Sequence, residues 1–125
     1  MFLEHVNMSV ANLDRGISFY ERLLGLHVRW QGTNAGGERA AHIGDDRCYL
    51  ALFEVGGDGK AGADYDHTGL NHFGWVVDDL EAVKRRLVTL NVRPHYEAQY
   101  EPGRRLYFFD PDGIEVELVE YPLRD

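Results

Sequence analysis

Leu3-Glu4-His5-Val6-Asn7-Met8-Ser9-Val10 and Leu70-Asn71-His72-Phe73-Gly74-Trp75-Val76-Val77 are the two stretches that decide the fold. Both are short and strand-like, with Leu3, Val6, Met8 and Val10 as the apolar residues of the first and Leu70, Phe73, Trp75, Val76 and Val77 of the second. Each runs into a helical pattern, opened by Asn12-Leu13-Asp14 in the first case and by Asp78-Asp79-Leu80-Glu81 in the second. At an offset of 67 residues, Leu3, His5, Val10, Leu13 and Leu23 fall on Leu70, His72, Val77, Leu80 and Leu90. The chain therefore reads as two copies of one module.

The helices have local causes. Asn12 is a good N-cap, and Leu13, Ile17, Tyr20, Leu23 and Leu24 make one apolar stripe at helical spacing. Gly25 suits the left-handed residue that ends such a helix. In the second copy Asp78 with Glu81 resembles a capping box. Leu80, Val83, Leu87 and Leu90 make the stripe, and Asn91 is placed to stop it.

Three strands are expected after each helix, at 26–32, 37–43 and 47–55, and at 93–100, 104–110 and 113–121. Asp110-Pro111-Asp112-Gly113 is a turn signal, because proline presets one φ and glycine tolerates the exit. The expected class is α+β: residues 1–125 form a single domain of two βαβββ modules, 1–55 and 68–125, joined by a glycine-rich connector at 56–67.

Composition narrows the function classes. The chain has 125 residues, 44% of them hydrophobic, which allows a real core. Its net charge of −8 argues against a phosphate-backbone partner and against anionic membranes. No apolar run reaches the length of a membrane-spanning helix. Met1-Phe2-Leu3-Glu4-His5 has neither the basic nor the apolar region of a signal peptide, and Cys48 is the only cysteine. Together these predict a cytoplasmic protein with no intrachain disulfide.

Strand alternation picks out the chemistry. Val6, Met8 and Val10 share one face of the first strand, while His5 lies with Asn7 and Ser9 on a polar face that would line a cavity. In the last strand Glu115, Glu117 and Val119 oppose Val116 and Leu118. His72 shares its face with Gly74, which leaves room beside it. Each of the three is read as mid-strand. Spacing alone leaves open a structural role for either histidine and a solvated Glu117. Two histidines at repeat-equivalent positions and an inward glutamate make a metal site equally good. Two imidazoles and a carboxylate are the donors of open zinc or non-haem iron sites.

Glu4-His5-Val6, Gly16-Ile17-Ser18-Phe19-Tyr20-Glu21-Arg22-Leu23-Leu24-Gly25-Leu26, Asn71-His72-Phe73 and Tyr107-Phe108-Phe109-Asp110-Pro111-Asp112-Gly113 through Glu117 together resemble the vicinal-oxygen-chelate superfamily of glyoxalases, bleomycin resistance proteins and extradiol dioxygenases. The resemblance covers almost the whole chain. It implies paired βαβββ modules whose curved mixed sheets form a cup around one divalent metal, with His5, His72 and Glu117 as the matching ligands. It also implies a substrate that chelates the metal through two neighbouring oxygens, and a homodimer with metal sites shared between chains.

Narrower membership turns on a few positions. Glyoxalase-type members use a fourth ligand where this chain has Ala51, with Glu54 nearby. Fosfomycin-modifying members carry a lysine near the position of Glu97, followed here by Arg104 and Arg105. Leu106-Tyr107-Phe108-Phe109-Asp110-Pro111-Asp112-Gly113 to Glu117 matches half of the extradiol dioxygenase signature, while His95 lies ten residues before Leu106, too far for its other half. The expectation drawn is dioxygenase-like chemistry on a catechol-type small molecule, with iron(II) preferred over zinc, manganese or nickel and with Tyr107 or His95 as acid/base. The alternatives are a glyoxalase-like lyase or isomerase and an antibiotic-binding or antibiotic-modifying resistance protein. His67 is a competing ligand candidate, read more readily as a surface residue. His27 and His42 are read as ordinary strand residues.

Overall fold

The computed structural model of the chain describes residues 1–57, 64–100 and 103–122, without the side chain of Tyr100. The chain divides into two compact units, Met1–Gly59 and Lys60–Asp125. The first holds β1 (His5–Val10), α1 (Leu13–Leu24), β2 (His27–Thr33), β3 (Arg39–Gly44) and β4 (Tyr49–Glu54). The second holds β5 (Phe73–Val76), α2 (Leu80–Thr89), β6 (Tyr96–Tyr100), β7 (Gly103–Phe109) and β8 (Glu115–Glu120). Each is therefore a βαβββ module, and the α+β reading stands. Of the expected connector, residues 58–63 lie outside the described residues.

The two sheets share one topology. Their strand orders are β1-β4-β3-β2 and β5-β8-β7-β6. The first strand of each module pairs in parallel with the last, and the other pairs are antiparallel. A parallel pair needs a crossover, which the helix supplies. α1 packs on β3 and β4, and α2 on β8.

Alternation sorts the residues as expected. In the first unit Met8, Val10, Ala41, Ile43, Leu50 and Leu52 are buried with Leu13, Ile17, Tyr20 and Leu23 of α1. In the second, Leu106, Phe108, Val116 and Leu118 are buried with Leu80, Val83 and Leu87 of α2. Each fully buried leucine contributes roughly 1.5–3 kcal/mol relative to exposure.

Helix boundaries follow the capping chemistry. Asn12 Oδ1 accepts from the Arg15 N–H at 2.9 Å, and Gly25 ends α1 in the left-handed region at φ 69°. The cap of α2 is Asp79 rather than Asp78. Asp79 has extended backbone, accepts from Ala82 N–H at 3.0 Å and directly precedes the first helical residue. Asn91 stops the segment at φ 62°. Both helices have a second anchor at their starts. Glu54 Oε2 accepts from Leu13 N–H and Glu120 Oε2 from Leu80 N–H, each at 2.9 Å. Each carboxylate at the end of a module's last strand satisfies an otherwise orphaned N–H and sits at the positive end of the helix dipole.

In the Asp110–Gly113 turn, Asp110 Oδ1 accepts from the backbone of Asp112 and Ile114 at 2.9 and 3.0 Å, and Gly113 takes φ 78°. Among the described residues no helix is long and apolar enough to cross a membrane.

Candidate metal centre

The second unit brings His72 and Glu117 together. Glu117 lies on β8 between Gly74 of β5 and Tyr107 of β7. His72 Nε2 and Glu117 Oε1 are 3.0 Å apart. His72 lies one residue before β5, and His5 is the first residue of β1, so neither is mid-strand as expected. The β5–β8 ladder begins at Phe73 opposite Val116, which leaves His72 just outside it. Gly74 matters here: a Cβ at that position would lie 3.4 Å from the Cβ of Glu117, so its absence leaves the carboxylate uncovered on that side.

Neighbours hold both groups. Arg105 Nη1 donates to Glu117 Oε2 at 3.1 Å, and both side chains are largely buried. Glu115, two residues earlier on the same face, is 5% exposed. It accepts from the Tyr65 hydroxyl and pairs with His95 Nε2 at 2.7 Å. The Tyr65 oxygen also lies 3.0 Å from His72 Nδ1. The Glu115 carboxylate, by holding the phenolic proton, pushes Tyr65 up to about 12. Tyr107 meets the His72 ring edge-on at 5.3 Å, and the His95 ring stacks on Phe109 at 4.2 Å.

This network fits a divalent metal. The Tyr65 proton goes to Glu115, so the Tyr65 oxygen accepts from His72 Nδ1–H. In the neutral imidazole Nε2 then presents a lone pair to a carboxylate oxygen. Nε2 and the carboxylate oxygen at that separation can share a proton, as an ion pair, or a metal ion. Ligands at right angles on an octahedral ion, each at about 2.1 Å, are about 3 Å apart. Among the described residues of this unit, no three His, Cys, Asp or Glu side chains converge as a complete ligand set. His72 and Glu117 could supply two donors.

In the first unit, His5 Nδ1 pairs with Glu4 Oε1 at 2.9 Å, and its ring stacks on Tyr49 with centroids 4.9 Å apart. The Tyr49 hydroxyl donates to the same Glu4 oxygen at 3.2 Å, and the hydrogen bond to His5 lowers the Glu4 carboxyl below its ordinary range. The contact with Glu4 uses Nδ1 and leaves Nε2 as the His5 nitrogen that could ligate a metal. Ala51, opposite Asn7 and His42, stands where the second module has Glu117, and brings no donor. Glu54 is on the opposite face, engaged at the start of α1. His42 is a β3 residue that lies between Trp30 and Tyr49, at ring distances of 5.0 and 4.5 Å, and burial pushes its imidazole down. The exposed His67 pairs with Asp64 at 2.8 Å.

Sequence reading assigns no role to Tyr65 or Glu115, and names Arg105 only as a basic residue that follows the fosfomycin-type lysine position, not as the partner of Glu117. For Glu115 the signal was present, since alternation already set it on the Glu117 face. For Tyr65 there was none, because its contact with Glu115 spans 50 residues of chain.

Residues 2–118 match the model of the Glyoxalase/Bleomycin resistance protein/Dioxygenase superfamily, and the chain belongs to that family. It is 29% identical over 121 residues to glutathione transferase FosA of Serratia marcescens, covering 93% of this chain and 78% of that protein. It is 27% identical over 125 residues to metallothiol transferase FosB of Shouchella clausii, covering 93% and 77%. Its fold is similar to a mutant of the fosfomycin resistance protein FosX of Listeria monocytogenes, solved in complex with Mn(II) and 1S,2S-dihydroxypropylphosphonic acid (TM-score 0.77, 20% identity, covering 98% of this chain and 91% of that one).

Proposed function

We propose that this protein is a metal-dependent enzyme that modifies a small antibiotic-like molecule, of the phosphonate class, bound through two neighbouring oxygens. The observation that carries the reading is the pairing of His72 Nε2 with Glu117 Oε1 at 3.0 Å on a polar sheet face. The substrate class is supported by the relatives, which are named as thiol transferases and fosfomycin resistance proteins. The ring-cleaving expectation has no such support, and the preference for iron(II) that depended on it gives way to Mn(II).

In this reading His72 and Glu117 hold the metal, with His5 as the third protein ligand that the family resemblance implies. A divalent metal bound there would supply a Lewis acid for the substrate's oxygens. Arg105 fixes the second oxygen of Glu117, keeping the first directed at the site. Tyr107, opposite Glu117, and His95, oriented by Glu115, are the candidates to hand a proton to or from the substrate or an incoming thiol. Glu97 is no obstacle to an anionic substrate. It belongs to the other face of the sheet, where it pairs with Lys84 at 2.8 Å, and Arg105 is the cation on the Glu117 face. The protein is proposed to be a cytoplasmic homodimer with metal sites shared between chains.

The test is a side-by-side assay on one preparation made without a histidine tag. The Mn(II) form is incubated with fosfomycin and a panel of thiols and followed by phosphorus NMR. The iron(II) form is offered catechols at an oxygen electrode. A new phosphonate signal that depends on metal and thiol is expected. Oxygen uptake with catechols and an unchanged phosphonate spectrum would restore the dioxygenase reading.

A further inference from the structure

Glu115 is a buried carboxylate with both oxygens engaged, Oε1 by the Tyr65 hydroxyl and Oε2 by His95 Nε2 at 2.7 Å. Such a group is expensive to bury unless its hydrogen bonds are met, and here they are. Glu115 lies two residues before Glu117 on the same strand face and meets the other side of the same imidazole, its Oε1 3.5 Å from His72 Nδ1 where Glu117 Oε1 is 3.0 Å from Nε2. One partner of Glu115, Tyr65, comes from a segment without regular structure that precedes β5. Tyr65 is 57% exposed as a whole, so packing of its ring does not explain why its hydroxyl is held inside the network.

Connectivity gives the reason. A phenol has one proton to donate and lone pairs to accept with. Glu115 takes the proton. The oxygen, 3.0 Å from His72 Nδ1, then accepts from that nitrogen. A neutral imidazole that donates from Nδ1 is set in the tautomer whose Nε2 lone pair is free, and its ring is aimed at Glu117 Oε1. Groups that hold a ligating histidine in this way are worth tenfold to a hundredfold in metal affinity.

Resting on the metal-dependent reading above, we propose that Tyr65 and Glu115 are positioning residues for the metal ligand His72, acting as a relay from Glu115 through the Tyr65 hydroxyl to Nδ1. Neither is a ligand. Removing the hydroxyl leaves every donor atom in the chain and takes away the group nearest His72 Nδ1, at 3.0 Å against 3.5 Å for Glu115 Oε1.

The experiment is calorimetric titration of Mn(II) into the metal-free, full-length protein, comparing wild type with Tyr65→Phe, Glu115→Gln and His67→Gln. Thermal melts of each metal-free protein are run in parallel. Tyr65→Phe and Glu115→Gln are expected to bind Mn(II) tenfold to a hundredfold more weakly. His67→Gln, on the same segment but paired with Asp64, is expected to match wild type. Metal-free Tyr65→Phe is expected to melt as wild type does. A Tyr65→Phe affinity within twofold of wild type overturns the proposal. So does a weakened affinity accompanied by an equal drop in the melting of the metal-free protein, which would make the hydroxyl structural. If wild type itself takes up no Mn(II), the metal-dependent reading falls, and this inference falls with it.

Discussion

Glu54 Oε2 accepts the backbone N–H of Leu13 at 2.9 Å, so the acidic side chain nearest the position of a fourth metal ligand serves a helix instead. Its counterpart, Glu120, does the same for Leu80 at the same distance. The two modules repeat a capping device as well as a fold. The glyoxalase-type reading that Glu54 kept open loses its candidate donor.

Glu54→Ala and Glu120→Ala are each expected to lower stability by about 1 kcal/mol, the usual cost of losing a helix cap. Chemical denaturation checks this. Metal content should be unaffected by Glu54→Ala. A fall in bound metal at unchanged stability would return Glu54 to the metal site.

Gly44 is set against the chain that returns into β4. A Cβ there would lie 2.1 Å from the Cys48 carbonyl oxygen and 2.6 Å from the Tyr49 Cα. Both obstacles are main chain in the Asp45–Cys48 turn, which is fixed by backbone hydrogen bonds to Asp45 Oδ1 at 2.8 and 2.9 Å. Gly44→Ala is expected to cost about 1–3 kcal/mol, as overpacking does. A variant as stable as wild type in denaturant would show that this turn gives way easily.

The proposed ligand set predicts that His5→Ala, His72→Ala and Glu117→Ala each lose most of the bound metal, measured by elemental analysis on protein without a histidine tag. If sites are shared between the chains of a dimer, with His5 from one chain and His72 with Glu117 from the other, mixing His5→Ala with Glu117→Ala restores about one intact site per heterodimer. Full metal content in His5→Ala would remove the first unit from the site. A sedimentation mass of one chain in metal-loaded protein would remove the sharing.

What could be read from the sequence was what depends on near neighbours in it. The repeat is visible because Leu3, His5, Val10, Leu13 and Leu23 recur at a constant offset. The modules are visible because strand and helix periods are local. The face shared by Glu115 and Glu117 follows from alternation alone. So does the outward direction of Glu54, once Ala51 is taken as inward.

The tertiary structure decided what those faces meet. It moved the α2 cap from Asp78 to Asp79, because a cap is defined by the backbone turn it satisfies and not by spacing to Glu81. It set Glu97 against Lys84 and Arg105 against Glu117, a division that depends on the register of β6, β7 and β8. It brought Tyr65 to Glu115 and His72 across chain separations of 50 and 7 residues, joining a segment with no period to a strand. Periodicity encodes which side of a strand a residue takes. Only the packed chain determines which donor meets which acceptor there, because hydrogen bonds are satisfied between segments that sequence order does not relate.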